Sequence, residues 1–150
     1  MRRILQSILH VCFLFSRPLT LGVRAIVFDH KSRAILMVKH TYSSGWYLPG
    51  GGIESGESYA TALKRELMEE VGIEFEGSAI VDVYHNWSIS KRDHVVITTI
   101  NSWEKRDGVK SPAMEIAESS WFRLTKLPEE LSPCTRFAIQ AFLSHQNHNM

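Results

Sequence analysis

Residues 51–73 read GGIESGESYATALKRELMEEVGI, and this stretch says more about fold and function than any other part of the chain. Between Ser58 and Val71 it contains neither glycine nor proline and consists largely of good helix formers. Ser58 is a suitable N-cap residue, and Gly72 suits the position just after the C-terminus. The stretch therefore predicts a glycine-containing loop followed by one helix.

The apolar and acidic side chains of this helix are expected on adjoining faces. At about 100° per residue, four apolar residues form one stripe that should face a core: Ala60, Leu63, Leu67 and Val71. Glu66, Glu69 and Glu70 fall within an arc of about 100° that borders this stripe. Like carboxylates about 4 Å apart repel by ~4 kcal/mol at an effective dielectric near 20, and Lys64 and Arg65 are too few to neutralise them. A glutamate-rich helix is usually a solvated face, but that reading leaves the preceding glycines unexplained.

The same positions resemble the Nudix box, the sequence motif of the Nudix hydrolases. Gly51, Glu57 and the run RELMEEVGI at residues 65–73 match each defining position of the motif at its proper spacing. The resemblance implies a loop–helix–loop that binds Mg²⁺ or Mn²⁺ and a hydrolase that cleaves a diphosphate linkage attached to a nucleoside. It also implies an α+β fold, a Nudix-type α/β/α sandwich with a mixed β-sheet in a single domain.

The resemblance further implies roles for the box residues. Glu69 and Glu70 are the expected principal metal ligands, joined by a backbone carbonyl of Gly50 or Gly51. Glu66 is expected to be either a further ligand or the general base, and both roles stay open.

Two more acidic positions complete the expected metal site. By the same resemblance, Glu57 joins the metal or orients its neighbours, and Arg65 pairs with Glu57 or another carboxylate and fixes its orientation. Arg65 is therefore counted with Glu66 among the candidate catalytic residues. In several relatives a distal acidic residue precedes a Trp-Phe strand, and here Glu115 fits that placement better than Glu118. An ordinary exposed loop carboxylate is the alternative for both.

The chemistry expected of these residue types is metal-assisted hydrolysis. Hard oxygen ligands suit Mg²⁺, which is usually bound by one or two carboxylates together with substrate phosphates. The metal would lower the pKa of a bound water, and a nearby glutamate could accept the proton as the water attacks phosphorus. The sequence shows no Ser-His-Asp arrangement, cysteine nucleophile or Walker-type loop.

Composition and charge narrow the class of protein. A chain of 150 residues can bury one adequate core. Its formal net charge is +1 and it has no long basic run, so we expect no nucleic-acid partner. Cys12 and Cys134 match no metal-binding spacing or disulfide framework, which favours a reduced, cytoplasmic setting.

The remaining elements should complete one domain over residues 19–145. The pattern predicts strands at residues 21–29, 34–40, 46–49, 79–89, 94–103 and 116–124, and a closing helix from Ser132-Pro133 through Phe142.

Residues 1–18 are expected to form an amphipathic helix. The apolar run 4–15 is interrupted by polar residues, is followed by no cleavage site and is too short to span a bilayer. Packing on the domain is the favoured role for this helix. Weak membrane association through residues 1–17 and a homodimer both stay open.

The substrate is less clearly indicated than the reaction. The backbone of Gly50, Gly51 and Gly52 is expected to approach the ligand closely. Trp46 and Tyr47 are candidates for stacking on a base, and a core or hairpin aromatic is the alternative for both.

Other polar residues and the subclass markers leave alternatives open. Arg24, Lys39 and His40 either contact phosphates or are strand residues on an exposed face. Ser88 stands where ADP-ribose-type relatives have a proline. A nucleoside triphosphate, as in MutT-like members, is therefore the favoured substrate. A nucleotide sugar or ADP-ribose and a non-catalytic nucleotide sensor are the alternatives.

Overall fold

A computed structural model describes residues 18–106 and 115–148. The described elements, in chain order, are eight strands and two helices: β1 (Thr20–Asp29), β2 (Ala34–His40), β3 (Gly50–Gly52), α1 (Tyr59–Val71), β4 (Ile73–Phe75), β5 (Ala79–His85), β6 (Asp93–Ile100), β7 (Trp103–Lys105), β8 (Ile116–Arg123) and α2 (Pro133–His148). The amphipathic helix predicted for residues 1–18 lies outside the described residues, apart from Pro18, and stays a prediction.

Six strands form one mixed sheet in the order β5-β6-β1-β2-β8, with β3 paired to the first half of β1. The β1–β6 pair is parallel, whereas β1–β2, β2–β8 and β5–β6 are antiparallel. A separate two-stranded sheet joins β4 to β7. The predicted mixed sheet is confirmed.

Strand β1 divides the core because its side chains alternate between the two faces of the sheet. Val23, Ala25 and Val27 join a cluster that includes Leu63 and Leu67 of α1. The intervening residues Ile26 and Phe28 join a second cluster, which includes three residues of α2: Ala138, Ile139 and Phe142. The two helices therefore cover opposite faces of the sheet, as an α/β/α sandwich requires.

Helix α1 begins and ends where the sequence predicts. The Ser58 side chain accepts a hydrogen bond from the backbone N–H of Thr61, and Gly72 adopts the left-handed conformation with φ 64°. The buried residues of the helix are Ala62, Leu63 and Leu67. The buried face of the helix therefore includes Ala62, which the predicted apolar stripe did not contain. Ala60 and Val71, which the predicted stripe did contain, are only partly buried.

Three predicted elements have different bounds in the structure. In the predicted strand 46–49 only Trp46 and Tyr47 form β-bridges, and both bridges are isolated, because the chain must turn into the glycines; the paired strand there is β3. Strand β5 ends at His85, where a turn begins. The predicted strand 94–103 divides after Ile100, because Trp103 pairs with Phe75 in the small sheet.

The closing helix α2 is longer than predicted and continues to His148. Within the described segments, neither helix is long and apolar enough to cross a membrane.

Candidate active site

Gly50 cannot carry a side chain, and a side chain at Gly51 would displace the Glu66 carboxyl group. Gly50 has φ 134°, and a Cβ there would lie 2.1 Å from the carbonyl oxygen of Val23. A Cβ on Gly51 would lie 2.4 Å from the carboxyl group of Glu66. The glycine loop therefore brings bare backbone directly against an acidic side chain of α1, as the sequence predicts.

Glu70 is a partly buried carboxylate that contacts the backbone of this loop. It accepts a hydrogen bond of 2.7 Å from the backbone N–H of Gly50 to its Oε2. The pKa of Glu70 is raised to about 7, mainly by burial, and the charges of Glu66 and Glu115 contribute to this rise against the lowering effects of the Gly50 N–H and Arg24. A carboxylate in this setting is stabilised in its charged form by a cation.

Arg65 links three parts of the site. Its Nε donates to Glu57 Oε1 at 3.1 Å, and its second terminal nitrogen donates to Glu57 Oε2 at 3.0 Å and to the carbonyl of Gly52 at 3.1 Å. Its other terminal nitrogen donates to Glu66 Oε1 at 2.7 Å. These bonds confirm the predicted pairing with Glu57, whose pKa is lowered mainly by the hydrogen bond from Arg65.

Glu69 lies at the outer edge of the acidic group. Its side chain is 48% exposed, compared with 15% for Glu66, and its Oε2 lies 3.7 Å from Arg65. In residues 18–106 and 115–148, no three acidic, histidine or cysteine side chains are arranged to hold one ion. The predicted ligand set of Glu57, Glu66, Glu69, Glu70 and Glu115 therefore stays a prediction.

Glu115 is brought towards the box although it is 45 positions from Glu70 in the sequence. Its charge raises the pKa of Glu70, and its carbonyl accepts a hydrogen bond from the backbone N–H of Thr41 at 2.9 Å. Glu118 lies within β8, opposite Lys39. This arrangement supports the choice of Glu115 as the distal acidic residue.

A cavity of about 580 Å³ lies beside the glycine loop, on the α2 face of the sheet. Gly51, Gly52 and Tyr47 line it, as expected of substrate-contacting residues. Trp46 lies outside this cavity. Its ring packs edge-on against Phe122, with the ring centroids 4.7 Å apart, and belongs to the core cluster next to α2.

Arg24 and His40 also line the cavity, and the sequence left their role open. The Arg24 side chain donates to the carbonyls of Leu48 and Gly50, which places its positive charge beside the glycine loop. The sequence indicated the position of Arg24 through the alternation of side chains along β1. This alternation places Arg24 on the same face of the sheet as Ile26 and Phe28. Lys39, the third candidate phosphate contact, instead lies over the Trp46 ring, 5.9 Å from its centroid.

His40 is buried between two tyrosines of the same cavity. Its ring stacks on Tyr42 and meets Tyr47 edge-on, with centroids 5.1 Å apart in both pairs. Burial, followed by the charge of Arg24, lowers the pKa of His40. This lowering favours the neutral imidazole.

Cys134 also lines the cavity but does not supply a nucleophile. Burial raises the pKa of its thiol to about 11, so the reactive thiolate is scarce at neutral pH.

The donor atoms at the loop fit a hard divalent cation. The carboxylates of Glu66 and Glu70 meet at Gly51 and Gly50 and provide the oxygen ligands that Mg²⁺ prefers. Glu70 is buried with a raised pKa, and no lysine or arginine pairs directly with it among the described residues. A cation bound at this position would supply the positive partner that the Glu70 carboxylate lacks.

The NUDIX domain family model matches residues 18–142. A putative 8-oxo-dGTP diphosphatase of Bacillus subtilis (strain 168) is 30% identical to the chain over 123 residues, which cover 82% of the chain and 79% of that protein. An RNA pyrophosphohydrolase of Ruthia magnifica is 41% identical over 69 residues. That match covers 44% of the chain but only 38% of the relative's own length.

Solved structures share the same architecture. A MutT NUDIX hydrolase from Burkholderia pseudomallei superposes with a TM-score of 0.71 at 24% identity, covering 81% of this chain and 96% of that one. The E. coli ORF135 protein superposes with a TM-score of 0.70 at 23% identity, covering 89% and 94%. These likenesses show the fold, and the family match extends over most of the chain. The chain therefore belongs to the Nudix hydrolase family.

Proposed function

We propose that this protein is a divalent-metal-dependent hydrolase that cleaves a diphosphate linkage in a nucleoside diphosphate derivative, with a nucleoside triphosphate as the favoured substrate. The observation that carries the proposal is the contact between the glycine loop and the box glutamates. The backbone N–H of Gly50 donates to the Glu70 carboxylate. The carboxyl group of Glu66 lies where a side chain on Gly51 would begin. Both contacts lie beside a cavity large enough for a small ligand.

The box residues divide between metal binding, orientation of the carboxylates and proton transfer, and Glu66 is a candidate for two of these roles. Glu66, Glu69 and Glu70 would hold Mg²⁺ or Mn²⁺, with Glu57 and Glu115 as additional acidic groups. When bound, the cation would neutralise charge on the diphosphate and increase the acidity of water at the site. Arg65 orients Glu57 and Glu66 through four hydrogen bonds that include the Gly52 carbonyl. Glu66 is the candidate to accept the proton of the attacking water.

Arg24 supplies the positive charge on the cavity side of the glycine loop. Because its guanidinium is fixed by two backbone carbonyls, it can bind phosphate oxygen without first being ordered. A phosphate chain that extends from Glu70 into the cavity would therefore lie between the acidic group and this arginine.

The preference for a nucleoside triphosphate is supported by the Bacillus subtilis relative, which is described as a putative 8-oxo-dGTP diphosphatase and aligns over most of both chains. The absence of the ADP-ribose-type proline at Ser88 points in the same direction. A nucleotide sugar or ADP-ribose remains the alternative substrate.

A panel of nucleotides with product identification tests the proposal. With Mg²⁺, the protein should release pyrophosphate or a nucleoside monophosphate from at least one of them. Glu69→Gln and Glu70→Gln should abolish this release while the circular dichroism spectrum stays unchanged. Glu76→Gln makes the same chemical change outside the box and should retain full activity.

Two other results would contradict the proposal. Turnover that persists in Glu70→Gln would exclude the assigned site. Nucleotide binding by calorimetry, without metal-dependent turnover of any compound in the panel, would favour a non-catalytic nucleotide sensor.

A further inference from the structure

We propose that Asp93 is the specificity-determining residue of this cavity and that its carboxylate selects guanine by accepting two hydrogen bonds from the base. The inference rests on the proposed function, because it places the nucleotide in the same cavity.

The cavity has a phosphate end and a second end that is suited to a base. Thr20 and Arg24 both line its floor and lie four residues apart on β1, which separates them by about 13 Å. Arg24 is at the glycine loop, whereas Thr20 is paired with Asp93, the first residue of β6. A nucleotide whose phosphates lie at Arg24 and whose sugar follows β1 towards Thr20 would bring its base to Asp93.

Gly22 forms the floor between these two ends with bare backbone. It lies on the same face of β1 as Thr20 and Arg24 and also lines the cavity. A Cβ at this position would lie 3.3 Å from the carbonyl oxygen of Gly51 and 3.8 Å from a methyl group of Val95. Strand β3 therefore packs tightly against this position, and no side chain stands between the phosphate end and the base end here.

The Asp93 carboxylate is held rigidly by neutral donors. Thr20 Oγ1 donates to its Oδ1, and Asn86 Nδ2 donates to its Oδ2, both at 2.7 Å. Ser88 Oγ donates in turn to Asn86 Oδ1 at 3.1 Å, which fixes the amide. Among the described residues, no lysine, arginine or histidine forms a salt bridge with Asp93. Each carboxylate oxygen therefore retains the capacity to accept another hydrogen bond.

Ile89 places an apolar side chain at the same end of the cavity. It belongs to the turn between β5 and β6, lines the cavity and is 75% exposed. An apolar side chain next to fixed polar groups is typical of a site that binds a partly polar small ligand. A base bound at Asp93 would cover part of the Ile89 side chain.

The hydrogen-bonding edges of the bases decide which one fits. Guanine presents two adjacent N–H donors, at N1 and at the 2-amino group, and these match the two oxygens of a carboxylate. Adenine and cytosine present an amino group next to a ring acceptor. Uracil and thymine present one N–H between two carbonyls. In these four bases at least one acceptor would face the carboxylate, which disfavours their binding.

The turn between β5 and β6 does not depend on the Asp93 side chain. Backbone bonds close it, from Asn86 N–H to the Asp93 carbonyl at 2.9 Å and from Asp93 N–H to the Ser90 carbonyl at 3.1 Å. The side chain can therefore be changed while these bonds are retained.

Asp93→Asn is the variant that tests the proposal. The new amide oxygen can still accept from Asn86, and its NH₂ group can donate to the hydroxyl of Thr20, which serves as donor or acceptor. We expect the preference in kcat/KM for GTP over ITP, which lacks the 2-amino group, to fall by about 10- to 100-fold. Activity on xanthosine triphosphate relative to GTP should rise, because the C2 carbonyl of xanthine can accept a hydrogen bond from the NH₂ group of the new amide. Asp82→Asn makes the same chemical change on β5 and should leave the ratios of kcat/KM among GTP, ITP and xanthosine triphosphate unaltered.

The possible outcomes separate this proposal from the proposed function. Equal use of GTP and ITP by the unmodified protein, or an equal loss on all bases in Asp93→Asn, would overturn the role of Asp93 and leave the hydrolase intact. If no nucleotide is hydrolysed, the hydrolase proposal fails. Equilibrium binding of GDP, IDP and XDP to the same variants then decides the role of Asp93, and an unchanged order of affinities would overturn it.

Discussion

Arg65 shows how one residue can organise an acidic site. Four hydrogen bonds hold its guanidinium against Glu57, Glu66 and the Gly52 carbonyl. The planar, five-donor geometry of arginine permits this simultaneous contact, which the single ammonium group of lysine does not reproduce. The positions of two carboxylates therefore depend on one cation that lies between the loop and the helix.

Gly51 is the residue whose replacement should affect the chemistry most directly without removing a functional group. In Gly51→Ala the new methyl group would lie 2.4 Å from the Glu66 carboxyl group, which must move away. Because a displacement of about 1 Å can reduce catalysis by about 100-fold, we expect a loss in kcat of that order. Steady-state kinetics with Mg²⁺ measures it.

Gly77→Ala is the matched control for this substitution. Nothing lies within 4 Å of a Cβ at Gly77, and its φ is not positive. This variant should have unchanged kcat. An unchanged kcat in Gly51→Ala would show that catalysis does not depend on the present position of the Glu66 carboxyl group.

At the scale of elements, helix α1 carries both the core contacts and the site. Leu63 and Leu67 anchor it to the sheet, while Glu66 and Glu70 border the buried face. The helix is therefore held in place by burial on one side, and its acidic residues are brought to the glycine loop as a consequence.

The N-cap of this helix can be tested by itself. Ser58 Oγ accepts from the backbone N–H of Thr61 at 3.1 Å, and Ser58→Ala removes this acceptor. The free energy of unfolding should fall by about 1 kcal/mol. Urea denaturation measures this change, and Ser58→Asp, which retains an acceptor and places a negative charge at the helix N-terminus, should show little loss. Equal destabilisation by both substitutions would contradict the capping role.

For the whole molecule, β1 joins the two core layers. Its odd-numbered residues from Val23 to Val27 contact the α1 side, and Ile26 and Phe28 contact the α2 side. Because one strand belongs to both layers, neither layer can be lost while the other stays intact. The described segments should therefore unfold as one unit.

Core substitutions on opposite faces test this cooperativity. Leu63→Ala on the α1 side and Phe142→Ala on the α2 side should lower the free energy of unfolding by about 2–5 and 3–5 kcal/mol. In both variants, unfolding followed by tryptophan fluorescence and by far-UV circular dichroism should coincide. Two separate transitions in either variant would show that the layers are independent.

The fold was predictable where a local pattern repeats. Strands β1 and β2 and both ends of α1 follow from alternation and capping residues. The division of the predicted strand 94–103 was not predictable, because it depends on the pairing of Trp103 with Phe75. The surroundings of Trp46 were not predictable for the same reason, since an aromatic residue next to the glycine loop can face either the cavity or Phe122.

The sequence by itself determined the family, the box and the reaction expected of it, because the spacing of residues 51–73 already sets which groups one loop and one helix can present. Only the tertiary structure decided which residues from other parts of the chain lie near this loop and helix. Arg24, Glu115 and Asp93 reach the site or its cavity from three separate parts of the chain. Their approach depends on strand register and sheet order, and these contacts form between residues that are far apart in the sequence.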